Sequence, residues 1–329
     1  MVVVRAPLQT VASLPTTGLQ GPTSIAAPGA RKGCDASMMS GMYAAISGLD
    51  AHQTMLDVTA NNLSNVDTVG YKAQSTVFSD ELSQLVAAGT TANGFSAGTN
   101  PAQVGLGVQV GSIDNVMTAG GTQTTGNPTD VLIQGNGWLR VANGNVSTTP
   151  PTFDATQYTR AGNLTFNASG YLCTQTGQYV LGYAAQQNAG TGVWSPVTTG
   201  GTPANNPIIV PPGSTNVTIG ADGSVNYQTP AGASVTAGYI SLATFPNQAG
   251  LQRDGGSLWS PTVASGAETA GQPGTAGYGQ TISGELEQSN VDMGTEFTNM
   301  IEAERGYQAN ASTITTADQM MQTAVNMKQ

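Results

Sequence analysis

Apolar side chains recur every seven residues in two segments that lie near opposite ends of the chain. Alternating spacings of four and three are the seam of a coiled coil, so they predict two amphipathic helices, at about residues 42–65 and 292–327. Neither helix can bury its stripe alone. The two can pack on each other as an intramolecular hairpin or on helices of neighbouring subunits, and their terminal placement favours the oligomer. The predicted seam, taken as the assembly interface, consists of Met42, Ile46, Leu49, Leu56, Leu63, Phe297, Met300, Tyr307, Ile314 and Met321.

Between the two segments the helical period disappears, and short strand-like runs alternate with turn signals. In three places, two such runs flank a Gly- or Asn-containing turn: 131–134 with 138–141, 164–166 with 171–173, and 217–219 with 225–227. The fold class is therefore predicted as α+β. Its N- and C-terminal helices form a coiled coil, and a central all-β domain consists of short hairpins.

Changes in composition predict the domain boundaries. Residues 1–37 hold short apolar runs broken by Pro and Gly, without a signal-peptide core, and are predicted as a disordered extension or the product of an upstream start. The other divisions are an N-terminal helical domain at 38–72, an extended linker or arm at 73–130, a β-rich outer domain at 131–263, a return linker at 264–289 and a C-terminal helical domain at 290–329 that pairs with the N-terminal one.

Charge and chemistry exclude several classes of function. Charged residues make up 9% of the chain and the net charge is −10, so a nucleic-acid partner has no electrostatic support. No apolar run reaches the roughly 18 residues of a membrane-spanning helix, so no membrane insertion is expected. The single histidine, His52, lies beside the predicted seam, and Cys34 and Cys173 form no CxxC motif. We therefore expect no enzyme, no metal site and no cofactor.

Two motifs at the inner ends of the helices are more specific. The first helix ends in an Asn-rich run that leads into Gly-Tyr-Lys, and a short polar run precedes the second helix. The residues of these motifs are Asn61, Asn62, Asn65, Thr68, Gly70, Tyr71 and Lys72, with Ser289, Asn290 and Val291. Together with the segments 120–138, 158–163 and 296–320, they resemble the flagellar rod and hook family from about residue 42 to residue 328.

This resemblance implies a structural subunit that polymerises with itself into a tubular, torque-transmitting axis. Its implied partners are other axial proteins (rod, hook cap and hook–filament junction) and the type III export apparatus. Its implied location is the basal body or hook, outside the cell after export. The Asn290-Val291-Asp292 run looks like hook proteins, whereas the short β-domain looks like the distal rod. We favour the hook subunit and keep the distal rod as the alternative.

Two functions of other classes stay open. A carbohydrate-binding β-domain can use Trp138, Trp194 or Trp259 as a platform on which a sugar stacks. A secreted, adhesin-like coiled-coil protein would form discrete oligomers instead of open-ended tubes.

Overall fold

A computed structural model of the chain describes residues 32–91, 97–146, 152–184, 186–187, 194–195 and 206–327. Two long helices, α1 (Lys32–Ser64) and α2 (Met293–Asn326), flank a region rich in strands. The α+β prediction is confirmed. Helix α1 begins before the predicted helix start at about residue 42 and before the predicted domain boundary at residue 38, so residues 32–37 are helical, while residues 1–31 lie outside the described part. Extension is inexpensive because an existing helix gains one hydrogen bond for each residue it fixes.

The strands of the first half are β1 (Gln74–Asp80), β2 (Ser83–Ala87), β3 (Ala102–Gly105), β4 (Val108–Asn115), β5 (Thr122–Thr124), β6 (Val131–Gln134), β7 (Trp138–Ala142), β8 (Gly144–Asn145), β9 (Thr152–Phe153), β10 (Gln157–Thr159), β11 (Leu164–Phe166), β12 (Leu172–Thr174) and β13 (Tyr179–Ala184). Those of the second half are β14 (Gln186–Gln187), β15 (Trp194–Ser195), β16 (Asn206–Pro207), β17 (Thr215–Ile219), β18 (Ser224–Gln228), β19 (Ser234–Ile240), β20 (Leu242–Thr244), β21 (Gln252–Gly255), β22 (Leu258–Ser260), β23 (Thr269–Gly271), β24 (Gln280–Ser283) and β25 (Glu285–Glu287). A 3-10 turn at Gln248–Gly250 precedes β21.

Most strands of the central region join one antiparallel sheet, whose main order is β17-β18-β19-β13-β7-β10-β22-β21. Two predicted hairpins are confirmed, because β11 pairs with β12 and β17 pairs with β18. The third is wrong in its pairing: β6 pairs with β24 from the far end of the chain, and β7 pairs with β10 and β13. Gly135 and Gly137, which lie between β6 and β7, adopt φ values of +110° and +140° that glycine reaches because it has no Cβ.

The segments predicted as linkers also hold strands. Strands β1 and β4, continued by β2 and β3, form a two-stranded ribbon that leaves the end of α1 and returns to it. Strands β5 and β25 pair with each other where the chain enters and leaves the β-domain. The Gly-rich composition of residues 87–105 hid the ribbon, whose apolar alternation is short and whose outer half is exposed.

The core of the β-domain consists largely of aliphatic side chains, including Leu139, Leu164, Val180 and Ile240, all 0% exposed. A second cluster stacks Trp138 edge-to-face on Trp259, with ring centroids 5.5 Å apart. None of the helices in the described ranges is long and apolar enough to span a bilayer.

Candidate functional site

The two long helices run antiparallel and contact each other through small side chains. An added Cβ on Gly48 would lie 2.5 Å from the Asn310 amide nitrogen, and one on Gly306 would lie 2.4 Å from the His52 ring. Ala303 is fully buried in the same contact row. Small residues let two helix backbones approach closely, so this row holds the pair together.

The predicted seam does not form that row. On α2 the buried residues Glu296, Ala303 and Ala317 are spaced by sevens, and the predicted seam runs alongside them. The large seam residues face outward or sideways. Ile46, Phe297, Tyr307 and Met321 are exposed, and Met42, Leu49, Leu56, Leu63, Met300 and Ile314 are half-buried. Packing of the helices as a coiled coil stays a prediction.

The sequence motif after α1 folds back and closes the end of that helix. Asn62 is 1% exposed; its amide donates to the carbonyl of Gln74 at 2.7 Å and to Glu296 Oε1 at 3.1 Å. The Tyr71 hydroxyl donates to Asn61 Oδ1 at 2.7 Å. Asn62 therefore ties the end of α1 both to the first strand of the ribbon and to α2.

Thr68 and Gly70 shape the turn that follows. The Thr68 hydroxyl lies 3.2 Å from Asn65 Oδ1, and the Asn65 amide donates to the carbonyl of Asn61 at 2.8 Å. Gly70 has φ +67°, and an added Cβ would lie 2.7 Å from the backbone of Arg160. Only glycine fits both the left-handed conformation and this close approach.

The motif before α2 fastens the returning chain to the same place. The backbone N–H of Ala73 donates to Asn290 Oδ1 at 2.7 Å, and the Asn290 amide donates to the carbonyl of Val116 at 2.8 Å. The Ser289 hydroxyl accepts from the backbone N–H of Val291 at 3.3 Å. The two family-like motifs, far apart in sequence, are therefore neighbours in the fold.

A buried ion cluster lies at the centre of this junction. Lys72 Nζ donates to Glu287 Oε1 at 2.6 Å, and Arg160 Nη1 donates to Glu287 Oε2 at 3.2 Å. Lys72 and Glu287 are each 1% exposed, and Arg160 is 6% exposed. The cluster joins three parts of the chain, which are the N-terminal motif, the β-domain and the strand that leads to α2. We call these residues, together with Gly70 and Asn290, the junction.

Burial and neighbouring charges act against each other in the cluster. Burial lowers the pKa of Lys72, the Glu287 carboxylate partly offsets this, and the Arg160 charge lowers that pKa further. Burial also lowers the pKa of Arg160, and again Glu287 opposes the shift. One carboxylate thus pairs with two cations, so the cluster carries an excess positive charge.

Arg253 adds a second contact between the β-domain and the motif. Its guanidinium carbon lies 4.6 Å from the ring centroid of Tyr71 and 4.8 Å from that of Trp259, and its Nη2 donates to the carbonyl of Lys72. A cation between two aromatic faces is favoured by both ring quadrupoles. A cavity of about 310 Å³ lies beside this stack, lined by the motif and by strands β21 and β22.

Sequence reasoning missed Arg160, Arg253, Glu287 and Glu296. All four are charged residues in a chain of which 9% is charged, and that scarcity was the available signal. Burial raises the pKa of the Glu296 carboxyl, and the hydrogen bond from Asn62 partly offsets the shift. Of the two carboxylates of β25, Glu285 is half-buried and Glu287 lies in the cluster.

Several alternative sites receive no support from the geometry. Trp138 and Trp259 are 1% and 2% exposed, so neither can serve as a sugar platform, and the Trp194 side chain lies outside the described part. His52 packs against Gly306 and the Phe78 ring, and Cys173 is a buried free thiol. The Cys34 side chain also lies outside the described part. Within the described ranges, no three His, Cys, Asp or Glu side chains are grouped as metal ligands.

Three family models match the chain. "Flagella basal body rod protein" matches residues 42–72, "Flagellar hook protein FlgE/F/G D1 domain" matches 132–227, and "Flagellar basal body rod FlgEFG protein C-terminal" matches 282–327. The flagellar basal-body rod protein FlgG of Bacillus subtilis is 39% identical over 292 residues, which cover 88% of this chain and 100% of that protein. This chain belongs to the flagellar rod and hook family.

Other relatives extend the comparison. The flagellar basal-body rod protein FlgG of Caulobacter vibrioides is 33% identical over 293 residues, covering 88% of this chain and 100% of that protein. The flagellar hook protein FlgE of Treponema pallidum is 40% identical over 154 residues, covering 46% of this chain and 31% of that protein. The resemblance found in the sequence is thereby confirmed.

Membership in the flagellar rod and hook family fixes the class of function. The chain is a structural, non-enzymatic subunit of the flagellar axis, located in the basal body, where such proteins self-polymerise with other flagellar components. The first family match ends at Lys72, and the last one begins at residue 282. Each therefore meets the junction from one side.

Proposed function

We propose that this chain is the distal rod subunit of the flagellar basal body, which polymerises into a tubular structure that transmits torque. The share of each relative's own length that matches this chain carries the proposal. Rod proteins match over 97–100% of their own length in Bacillus subtilis, Agrobacterium fabrum and Caulobacter vibrioides, whereas the hook protein of Treponema pallidum matches over 31%. The comparisons favour the distal rod alternative over the hook subunit preferred from the sequence.

The helix pair supports self-assembly through its outer faces. Small residues form the contact between α1 and α2, whereas large apolar side chains such as Ile46, Phe297 and Ile301 remain exposed. Exposed apolar stripes of this kind mark interaction surfaces. In a heterologous interface the stripe of one copy is covered by a different face of the next copy, which produces an open-ended helical polymer.

The ribbon supports assembly in the same way. Leu82, Leu85, Val86 and Val104 are more than half exposed on its two strands. An isolated two-stranded ribbon is marginally stable in water. Neighbouring subunits are therefore proposed to cover it in the polymer.

The remaining parts of the proposal follow from the family. Subunits leave the cell through the type III export apparatus and assemble outside the cytoplasm. They contact copies of themselves and other axial proteins, with the hook built on the distal end of the rod and its cap and filament-junction proteins beyond it.

The decisive experiment is a chromosomal deletion followed by electron microscopy of purified basal bodies. Basal bodies that lack the distal rod are the expected result. Complete rods without hooks would instead identify a hook subunit, and intact flagella would overturn the proposal.

A second experiment tests the outer faces. Phe297→Ser and Tyr307→Ser are expected to reduce tube formation by the purified chain, because each removes an exposed apolar contact of the predicted seam. Val263→Ser is the matched control, since Val263 is fully exposed at 103% in the β-domain and off the helices. Equal tube formation by all three variants would contradict the seam, and discrete oligomers would indicate an adhesin-like coiled coil.

A further inference from the structure

The basic side chains of this molecule differ in whether they are engaged inside it or exposed. Four of those that the structure describes are engaged inside it: Lys72 and Arg160 hold Glu287, Arg140 pairs with Glu268 at 3.2 Å, and Arg253 is stacked between two rings. Among the described side chains, Arg305 is the one basic group that is exposed. The other charged side chains that the structure describes as exposed are acidic.

Arg305 lies on the outer face of α2. It follows the fully buried Ala303 by two positions, which is a rotation of about 200° round an α-helix and points directly away from α1. Glu302 lies one turn earlier, yet no salt bridge among the described residues includes Arg305. Arg305 Nη1 donates a long hydrogen bond of 3.5 Å to Gln308 Oε1. Ile301, 58% exposed, lies one turn before it on the same face.

The outer face of α1 carries the opposite charge. Tyr43, Ile46, Asp50, Gln53 and Asp57 are spaced by three and four residues, and all are exposed. The two carboxylates are seven residues apart, or about 10 Å along the helix axis. Lys and Arg are absent from the described side chains of α1 between residues 40 and 64.

We propose that Arg305 is the charge contact by which the outer face of α2 docks on the outer face of α1 in the next copy of this chain, with its guanidinium between Asp50 and Asp57. This inference rests on the proposed function as a self-assembling subunit. The occupant is a second copy because the two faces complement each other in charge and both carry exposed apolar residues. A planar guanidinium also suits carboxylates better than a lysine amine does.

This contact has a consequence for assembly. Copies that each carry a net charge of −10 repel one another, and a pairing of Arg305 with the α1 carboxylates sets the register at the point where the helices meet. The attraction is strongest at low ionic strength and is screened when the Debye length becomes short.

The test measures the critical concentration for polymerisation of the full chain by sedimentation, with electron microscopy to identify tubes. Arg305→Gln is expected to raise it about fivefold to tenfold at low salt, and the difference is expected to shrink to within about twofold at roughly 0.5 M salt. Gln175→Glu, an exposed β-domain position, gives the same net charge as Arg305→Gln and is expected to leave assembly nearly unchanged.

Exchanging the charges of Arg305 and the α1 carboxylates tests whether these side chains contact each other. Arg305→Glu is expected to abolish assembly at low salt, and combining it with Asp50→Arg or with Asp57→Arg is expected to restore tubes in at least one of the pairs. Circular dichroism verifies that each variant is folded. Restoration in neither pair, or equal effects of Arg305→Gln and Gln175→Glu, would overturn the docking alone. Wild-type chains that never form tubes would overturn the proposed function together with the docking that rests on it.

Discussion

Glu287→Gln should destabilise the protein far more than Lys72→Met, although the two residues form the same ion pair. Glu287 accepts from Lys72 at 2.6 Å and from Arg160 at 3.2 Å, and all three side chains are buried. The cluster therefore has one negative and two positive charges. Removal of the carboxylate leaves two buried cations beside each other, whereas removal of the lysine leaves a balanced pair.

The magnitudes follow from this asymmetry. Removing one partner of a buried ion pair costs about 3–5 kcal/mol, because an uncompensated charge stays buried. Two pairs share Glu287, and their losses are not additive, so we expect at least this amount for Glu287→Gln. Lys72→Met keeps the apolar stem, and the carbonyl of Thr118 still accepts from Asn290 at 3.2 Å. The lost hydrogen bonds of Lys72 then cost about 1–2 kcal/mol.

Thermal unfolding of dilute, unassembled protein measures the difference. For a chain of this size about 1 kcal/mol shifts the Tm by roughly 1.5–2 °C, so Glu287→Gln should lower the Tm by roughly 5–10 °C and Lys72→Met by roughly 2–4 °C. Tryptophan fluorescence gives a local reading, since the Arg160 guanidinium carbon lies 5.5 Å from the Trp138 ring centroid. Equal losses in the two variants would refute the reasoning, because they would show that the excess positive charge of the cluster has no energetic effect.

Three further predictions concern the junction and the helix contact. Gly70→Ala should cost more than about 3 kcal/mol in chemical denaturation, because strain at φ +67° adds to a backbone clash, whereas Gly177→Ala, at φ +87° with open space around it, should cost only about 1–2 kcal/mol. Arg253→Lys keeps the charge but loses the planar stack, so it should cost about 1 kcal/mol and change Trp259 fluorescence. Burial holds the pKa of Glu296 above its usual range, so the folded state takes up that proton first as pH falls; stability should rise below neutral pH, and Glu296→Gln should flatten that part of the pH–stability curve.

Helix existence was predictable from the sequence, but the face on which the helices meet was not. A count of apolar residues every seven positions selects large side chains such as Leu56 and Tyr307. The contact instead uses Gly48, Ala303 and Gly306, which contribute little to an apolar pattern but permit close approach. A pattern that counts large apolar residues therefore misses a contact face made of small ones.

The junction shows a second limit of sequence reasoning. Asn62, Gly70 and Asn290 were singled out because they lie in recognisable motifs, and each has a structural task. The partner of Lys72 is 215 positions away, and Asn62 meets Glu296 across 234 positions. No periodicity or spacing connects residues at such distances, so charged residues that complete the junction could be noticed only as rare charges. The pairing of β6 with β24 was hidden for the same reason.

The junction and the helix pair meet opposite physical requirements in this axial subunit. The junction makes its polar contacts within the chain: Asn290 alone ties Ala73 to Val116, and Glu287 holds both cations. The helix pair leaves apolar side chains and Arg305 on its outer faces. In the proposed polymer, force that enters through contacts between the helices of neighbouring copies would cross the junction to reach the β-domain. Twisting the two parts against each other would strain the buried ion pairs, so we expect the junction to stiffen the subunit in that polymer.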